Sequence, residues 1–195
     1  MKSISLSGSL RKNVGKKDSR QIRKDEMIPA VIYGGNEQYQ IILSEKEFGK
    51  VIFTPETYIV NVNIDGKTVQ TILKDIQYHP VSDRVLHADL YEISETKPFT
   101  VSLPIILTGT SKGVLRGGKL QQRMRKIRVN GLLHNIPDCI EIDITDLDAG
   151  SPIRIEDVDV KYENLKFVDS KRNVIVDIKS SRSMTSDEEG AEEEK

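Results

Sequence analysis

Between Ser3 and Ile178 the chain holds no long helical apolar period; it repeats short runs of Ile and Val cut by turn residues. That pattern limits the fold more than any other feature, because a period of two fits a strand and not a helix. Ser3–Leu10 alternates, with Ile4, Leu6, Gly8 and Leu10 on one side. Pro29–Tyr33 reads as a strand stopped by Gly34-Gly35-Asn36, and Tyr39–Leu43 returns. Tyr58–Ile64 and Lys67–Ile76 flank Asp65-Gly66, a dipeptide suited to a tight hairpin turn. Arg84–Ile93 is a sixth run. Two segments break the pattern. Gly15–Glu26 has helical spacing, placing Lys16, Arg20 and Arg23/Lys24 on one face. Ser44–Ile52 opens on a capping box, Ser44-x-x-Glu47.

After Lys97-Pro98 come Phe99–Leu107, Lys126–Leu133, Cys139–Ile144, Pro152–Ile155, Leu165–Val168 and Val174–Ile178, again strand-like and separated by Gly or Pro. The expected fold is mainly β with short helices. An N-terminal antiparallel β-barrel domain covers residues 1–95, a C-terminal all-β domain residues 96–179, and a disordered acidic tail residues 180–195. The length of 195 residues suits two small domains. With no Trp and 5% aromatic residues, their cores must be Ile, Val and Leu. The longest apolar run is the seven residues Met27–Tyr33, too short to cross a bilayer, and the first ten residues lack a signal-peptide block. A single cysteine, Cys139, cannot build a disulfide framework and fits a cytoplasmic setting.

The formal net charge is −1, yet the charge is unevenly placed. Arg11–Lys24 carries seven basic side chains against Asp18, and Lys112–Arg128 carries seven with no acid. Residues 1–128 together hold a net +8, while six of the nine residues from Asp187 to Lys195 are acidic. Two basic blocks on a near-neutral chain point to a polyanion met by particular faces; solvated surface is the plainer alternative.

Catalytic chemistry finds little support. His79, His87, His134 and Cys139 show no metal-site spacing, so neither a metal nor a cofactor is expected. Gly113–Leu120 matches a phosphate loop except at its end, where Leu120 replaces the hydroxyl that holds Mg²⁺. No strand–loop–helix unit surrounds it, so a mobile Gly-rich basic loop is expected there. His87 and Asp89, two apart on a strand, share a face and can act as base and orienter in a hydrolase or acyl-transfer enzyme. No nucleophile motif accompanies them. They fit a structural pair closing a barrel edge, and a third reading suits the basic block better: a reader of base edges and 2′-hydroxyls, since a carboxylate near phosphates is costly unless it accepts hydrogen bonds. Tyr33, beside Gly34-Gly35, sits where a backbone can approach a ligand closely.

Several strings then converge. Ser9-Leu10-Arg11-Lys12, Gly15-Lys16, Ser19-Arg20 and Ile22-Arg23 lead into Ile28-Pro29-Ala30-Val31-Ile32-Tyr33-Gly34-Gly35. Lys74-Asp75-Ile76-Gln77-Tyr78-His79-Pro80 and His87-Ala88-Asp89 follow. In order and spacing they resemble the bacterial large-subunit ribosomal protein twenty-five family. Leu103-Pro104-Ile105, Gly117-Gly118-Lys119-Leu120, Ile136-Pro137-Asp138 and Leu147-Asp148-Ala149-Gly150 resemble its long form, often called general stress protein Ctc. The resemblance spans about residues 5–178. It implies a non-enzymatic, cytoplasmic component of the 50S subunit whose N-terminal barrel binds loop E of 5S ribosomal RNA. It implies RNA contacts at Arg11, Lys16, Arg20, Tyr33, His87 and Asp89, with Arg23, Lys74 and Gln77 beside them. Lys112–Arg128 would meet neighbouring ribosomal RNA or proteins. Gln21 stands where a second Arg is usual, and Leu90 where Phe is. A stress-induced protein that meets the ribosome only transiently is a further reading.

Overall fold

The computed structural model describes residues 1–179 apart from Asn36, Glu95 and Glu163, so the expected acidic tail lies outside the described residues. The chain divides into two compact units, Met1–Val101 with Leu132–Asp138, and Ser102–Gly131 with the chain from Cys139 onward.

In the first unit six strands close a barrel: β1 (Ser3–Leu10), β2 (Met27–Tyr33), β3 (Tyr39–Ser44), β4 (Ile59–Ile64), β5 (Lys67–Tyr78) and β6 (Val85–Glu92), in the order β1-β3-β2-β6-β5-β4. Four seams are antiparallel as expected; two, β1 with β4 and β2 with β6, are parallel. The alternation seen in the sequence is the cause of the core. Ile28, Ala30 and Ile32 of β2, Ile41 and Leu43 of β3, Val60, Val62 and Ile64 of β4, and Ala88 and Leu90 of β6 point inward. The small pair Ala30 and Ala88 lies directly opposed across a parallel seam. The hairpin turn has both Asp65 and Gly66 at positive φ (46° and 89°), the geometry that matches strand twist.

Helix α1 (Lys16–Lys24) buries Ile22 and packs on β2. Helix α2 (Glu45–Ile52) adds Phe48 and Val51 to the barrel core. Its predicted capping box is not formed. Ser44 is the N-cap residue but makes no side-chain cap, and Glu47 Oε2 instead accepts from the Ser7 amide at 3.4 Å. The amide of a neighbouring strand has taken the carboxylate that the helix end would have used.

The second unit holds two sheets. One has the order β10-β7-β9-β12, with β7 (Phe99–Thr108), β9 (Lys126–Gly131), β10 (Ile140–Asp143) and β12 (Lys166–Phe167). The other is β11-β13-β8, with β8 (Lys119–Gln122), β11 (Ile153–Arg154) and β13 (Val174–Lys179). Short helices α3 (Lys112–Leu115) and α4 (Ile155–Asp159) complete it, so the region expected to be all-β, residues 96–179, carries these two and a 3₁₀ turn at Leu133–Asn135. Leu103, Ile127, Val129, Ile140, Ile155 and Ile175 are buried in it.

The segment Gly113–Leu120, expected to be a mobile loop, is instead built into this unit. Ser111 Oγ accepts from the Val114 amide and starts α3. Leu120 pairs with Ile178 in β8·β13. A Cβ at Gly113 would lie 2.7 Å from the Ala149 amide nitrogen, so glycine there lets two backbones touch. The amides of Gly113, Leu115, Arg116, Gly117 and Gly118 donate to backbone carbonyls. A phosphate cradle needs such amides turned outward. These are all spent.

Candidate nucleic-acid interface

Two irregularities in the β5·β6 ladder shape one outer face of the barrel. The first skips Lys74, bringing Asp75 opposite Asp89; the second skips Leu86, after Gln77 has paired with His87. A bulge re-aims the side chains beside it. Gln77, Asp75, His87, Asp89 and, one strand further, Tyr33 therefore fall on adjoining strands of one face.

On that face His87 Nδ1 and Asp89 Oδ1 are 2.8 Å apart, each side chain partly exposed at 25% and 34%. The carboxylate holds the Nδ1 edge, which leaves Nε2 for a partner. Tyr33 meets Tyr91 edge to face, ring centres 5.8 Å apart. Burial first, then the Asp89 and Asp75 carboxylates and Tyr91, push the Tyr33 phenol above its ordinary value, so it stays a hydroxyl donor at neutral pH. Gly34, at φ 102°, passes so close to the Tyr91 ring that a Cβ would sit 2.5 Å from it. Only glycine satisfies both conditions there. Sequence reasoning singled out neither Tyr91 nor the pairing of Asp75 with Asp89. The bulge at Lys74 that creates the pairing leaves no signature in residue spacing.

Helix α1 is fastened at both ends. Arg11 is 6% exposed; its Nη2 lies 2.7 Å from Asp18 Oδ2 and also reaches Ser19 Oγ. Arg23 Nε donates to the Leu86 carbonyl at 3.0 Å, the very residue the ladder skips, next to His87. Arg11 and Arg23 thus fix the helix beside the face. Lys12, Lys16, Lys17, Arg20 and Lys24 are exposed and have no ion pair or side-chain hydrogen bond among the described residues. At 3.6 residues per turn Lys16, Lys17, Arg20 and Lys24 cover about a third of the helix circumference, away from Ile22. Exposed Lys74 stands apart, its Nζ 3.3 Å from the Thr100 carbonyl.

The second basic block behaves differently. Lys112 pairs with Asp146, Arg116 with Asp148, Arg123 with Asp177 and Arg128 with Asp169. The block is thus only partly unpaired: acids of the same unit already pair with four of its seven cations. Lys119, Arg125 and Lys126 are left without an ion pair among the described residues. Asp169 is 10% exposed. Burial pushes its carboxyl up, but hydrogen bonds from the Arg128 guanidinium and amide outweigh this and hold it below the usual range. Hydrogen bonds from Arg123 likewise hold Asp177 low against partial burial. A carboxyl with a depressed folded value adds stability above its unfolded value near 3.9, and that stability goes as pH falls through the folded value. Thermal unfolding from pH 6 to pH 2 should therefore show a loss of stability that Asp169→Asn makes shallower. An unchanged slope in the variant would remove Asp169 from the titration.

Two family models match the chain: the Ribosomal L25p family over residues 6–90, and the C-terminal domain of ribosomal protein TL5 over residues 98–182. Large ribosomal subunit protein bL25 of Phocaeicola vulgatus is 38% identical over 189 residues, covering 93% of this chain and 94% of its own. The chain belongs to the Ribosomal L25p family. The bL25 of Porphyromonas gingivalis, 38% identical over 184 residues, covers 93% of this chain and 95% of its own; that of Azobacteroides pseudotrichonymphae, 36% identical over 187, covers 95% and 98%. As an L25p protein with the TL5-type second half, the chain is a structural component of the large ribosomal subunit and not an enzyme. His87 and Asp89 accordingly have no hydrolytic role.

Proposed function

We propose that the barrel unit binds 5S ribosomal RNA at loop E, with α1 on the phosphates and the β2·β6·β5 face in the minor groove. The observation that carries this is the contrast between the two basic blocks: α1 keeps its cations unpaired beside a face holding His87, Asp89, Gln77 and Tyr33. RNA helices hide their major-groove edges, so discrimination falls to base edges and 2′-hydroxyls in the shallow groove. Lys16 and Arg20 then supply affinity, Tyr33 and Gln77 donate, and Asp89 accepts. Arg11 and Arg23 position the helix, while Lys74 adds a cation at the bulge. Residues 1–95 carry this contact by themselves, in the cytoplasm where ribosomes are. Lys119, Arg125 and Lys126 are what the second unit has for neighbouring RNA or proteins.

Cofractionation tests the reading. The full chain should stay on 50S subunits through a high-salt wash and select 5S RNA from total ribosomal RNA. Release by the wash would favour the transient, stress-linked reading, and selection of another RNA would refute the 5S assignment.

A further inference from the structure

Within the first unit a cleft of about 190 Å³ opens between the end of α1, the start of α2 and the turn joining β5 to β6. Of the residues assigned to RNA contact, only Arg23 lines it. Met27, Val85 and Leu86 give it an apolar lining, and Arg23, Glu45, Arg84 and His79 bring polar groups. The turn is held from within. His79 Nδ1 accepts from the Val81 and Ser82 amides at 3.3 and 3.2 Å, and the His79 amide donates to the Arg84 carbonyl at 2.8 Å. Arg84 ties this turn to both helices: its Nε and Nη2 donate to Glu45, and Nη2 also lies 3.4 Å from the Arg23 carbonyl. These bonds fix the polar groups before a ligand arrives, which lowers the cost of binding. What they leave over is specific. Arg23 spends Nε on the Leu86 carbonyl and keeps both Nη groups unbonded among the described residues. Each Glu45 oxygen takes one bond from Arg84 and can accept another. We propose that this cleft binds an unpaired guanine base, with the Arg23 Nη fork donating to O6 and N7 and the Glu45 carboxylate accepting from N1–H and the N2 amine.

Size, charge and edge chemistry select this ligand. The volume lies below the ~300 Å³ at which drug-sized sites begin, so it suits one ring system. A bare phosphate would face the Glu45 carboxylate, a like charge, and leave the apolar lining unused. Adenine carries an amine where guanine carries O6, which would set a donor against the Arg23 fork. Pyrimidines have no N7. Arginine on O6 and N7 is the commonest specific base contact in duplex recognition. Here the second edge is read as well, and both edges are free only in an unpaired base, the kind that RNA-binding surfaces splay out and read. The cleft adjoins the proposed RNA face, because Arg23 holds the carbonyl of Leu86, the neighbour of His87. That the base is carried by RNA rests on the reading above; the preference for guanine does not.

The test titrates the full chain, labelled with nitrogen isotope for magnetic resonance, with GMP, AMP, UMP and inorganic phosphate. GMP should move the Arg23 and Arg84 side-chain N–H signals and the Ser82 amide. It should bind at least about fivefold tighter than AMP or UMP, the lower end of what one bidentate base contact discriminates. Phosphate alone should leave those signals in place. Glu45→Gln should abolish the preference for GMP over AMP. Ser82→Phe, on the exposed turn, should block the cleft and abolish GMP binding with Arg23, Glu45 and Arg84 all present. Each variant is read beside its melting temperature, and either one that folds decides. Two RNA hairpins that differ only in a bulged guanine or adenine identify the source. A guanine preference that Glu45→Gln removes means a base carried by RNA; equal binding means a free nucleotide. Equal affinity for GMP and AMP, a phosphate response matching that of GMP, or no GMP response at the cleft overturns the proposal. If GMP titrates the cleft while the chain fails to select 5S RNA, the guanine site stands and the RNA reading falls.

Discussion

Asp89→Asn is expected to weaken binding of 5S ribosomal RNA ten- to a hundredfold while the barrel melts near the parent temperature. The substitution keeps the shape of the side chain, and its Oδ1 can still accept from His87 Nδ1, now 2.8 Å from it. What changes is the other carboxylate oxygen, which becomes an amide NH2 that donates and no longer accepts, and the charge, which is lost. Hydrogen bonds to a charged group contribute roughly 1.5–3 kcal/mol, which converts to that range of affinity. The folding cost is small because both side chains are partly solvated and neither belongs to the barrel core. His87→Ala should act in the same direction. The salt dependence should hardly move, since Asp89 neutralises no phosphate. Calorimetric titration beside thermal melting separates the outcomes. A variant that binds normally removes Asp89 from the interface, and one that unfolds makes the pair structural.

How far the sequence disclosed this site depended on whether the deciding contact was local. Strand alternation located all six barrel strands, because each buried side chain sits two residues from the next. Asp65-Gly66 announced its own turn. The helical stripe of α1 followed from spacing alone, and the family strings named the face. What stayed hidden was set by partners far along the chain. Arg128 meets Asp169 and Arg123 meets Asp177, 41 and 54 residues away, so a basic block that looked free was already partly neutralised. Glu47 was drawn from its helix end to Ser7 on β1. Strand β8, only four residues long, has too few residues for a period and exists because β13 pairs with it. The bulges at Lys74 and Leu86 decide which side chains share the face, yet register is a property of two strands and no single run encodes it.

The contrast between free and paired cations yields a result with a larger effect. Lys16→Ala, Arg20→Ala and Lys24→Ala combined should flatten the plot of log K for 5S RNA against log salt by about 2–3 units, at roughly 0.7–0.9 per phosphate contact. At ~0.1 M salt the same arithmetic gives an affinity loss of about a hundred- to five-hundredfold, shrinking to little near 1 M. None of the three is paired among the described residues, so the substitutions remove no fold contact. Arg123→Ala is the matched control. It strips a cation from the other basic block, but one held 2.7 Å from Asp177, so it should lower the melting temperature of the protein and leave the salt slope alone. Equal slopes for the triple variant and the parent would mean that α1 presents a solvated face. A slope changed by Arg123→Ala would mean that its ion pair opens to meet RNA, and that free and paired cations are not the distinction that matters.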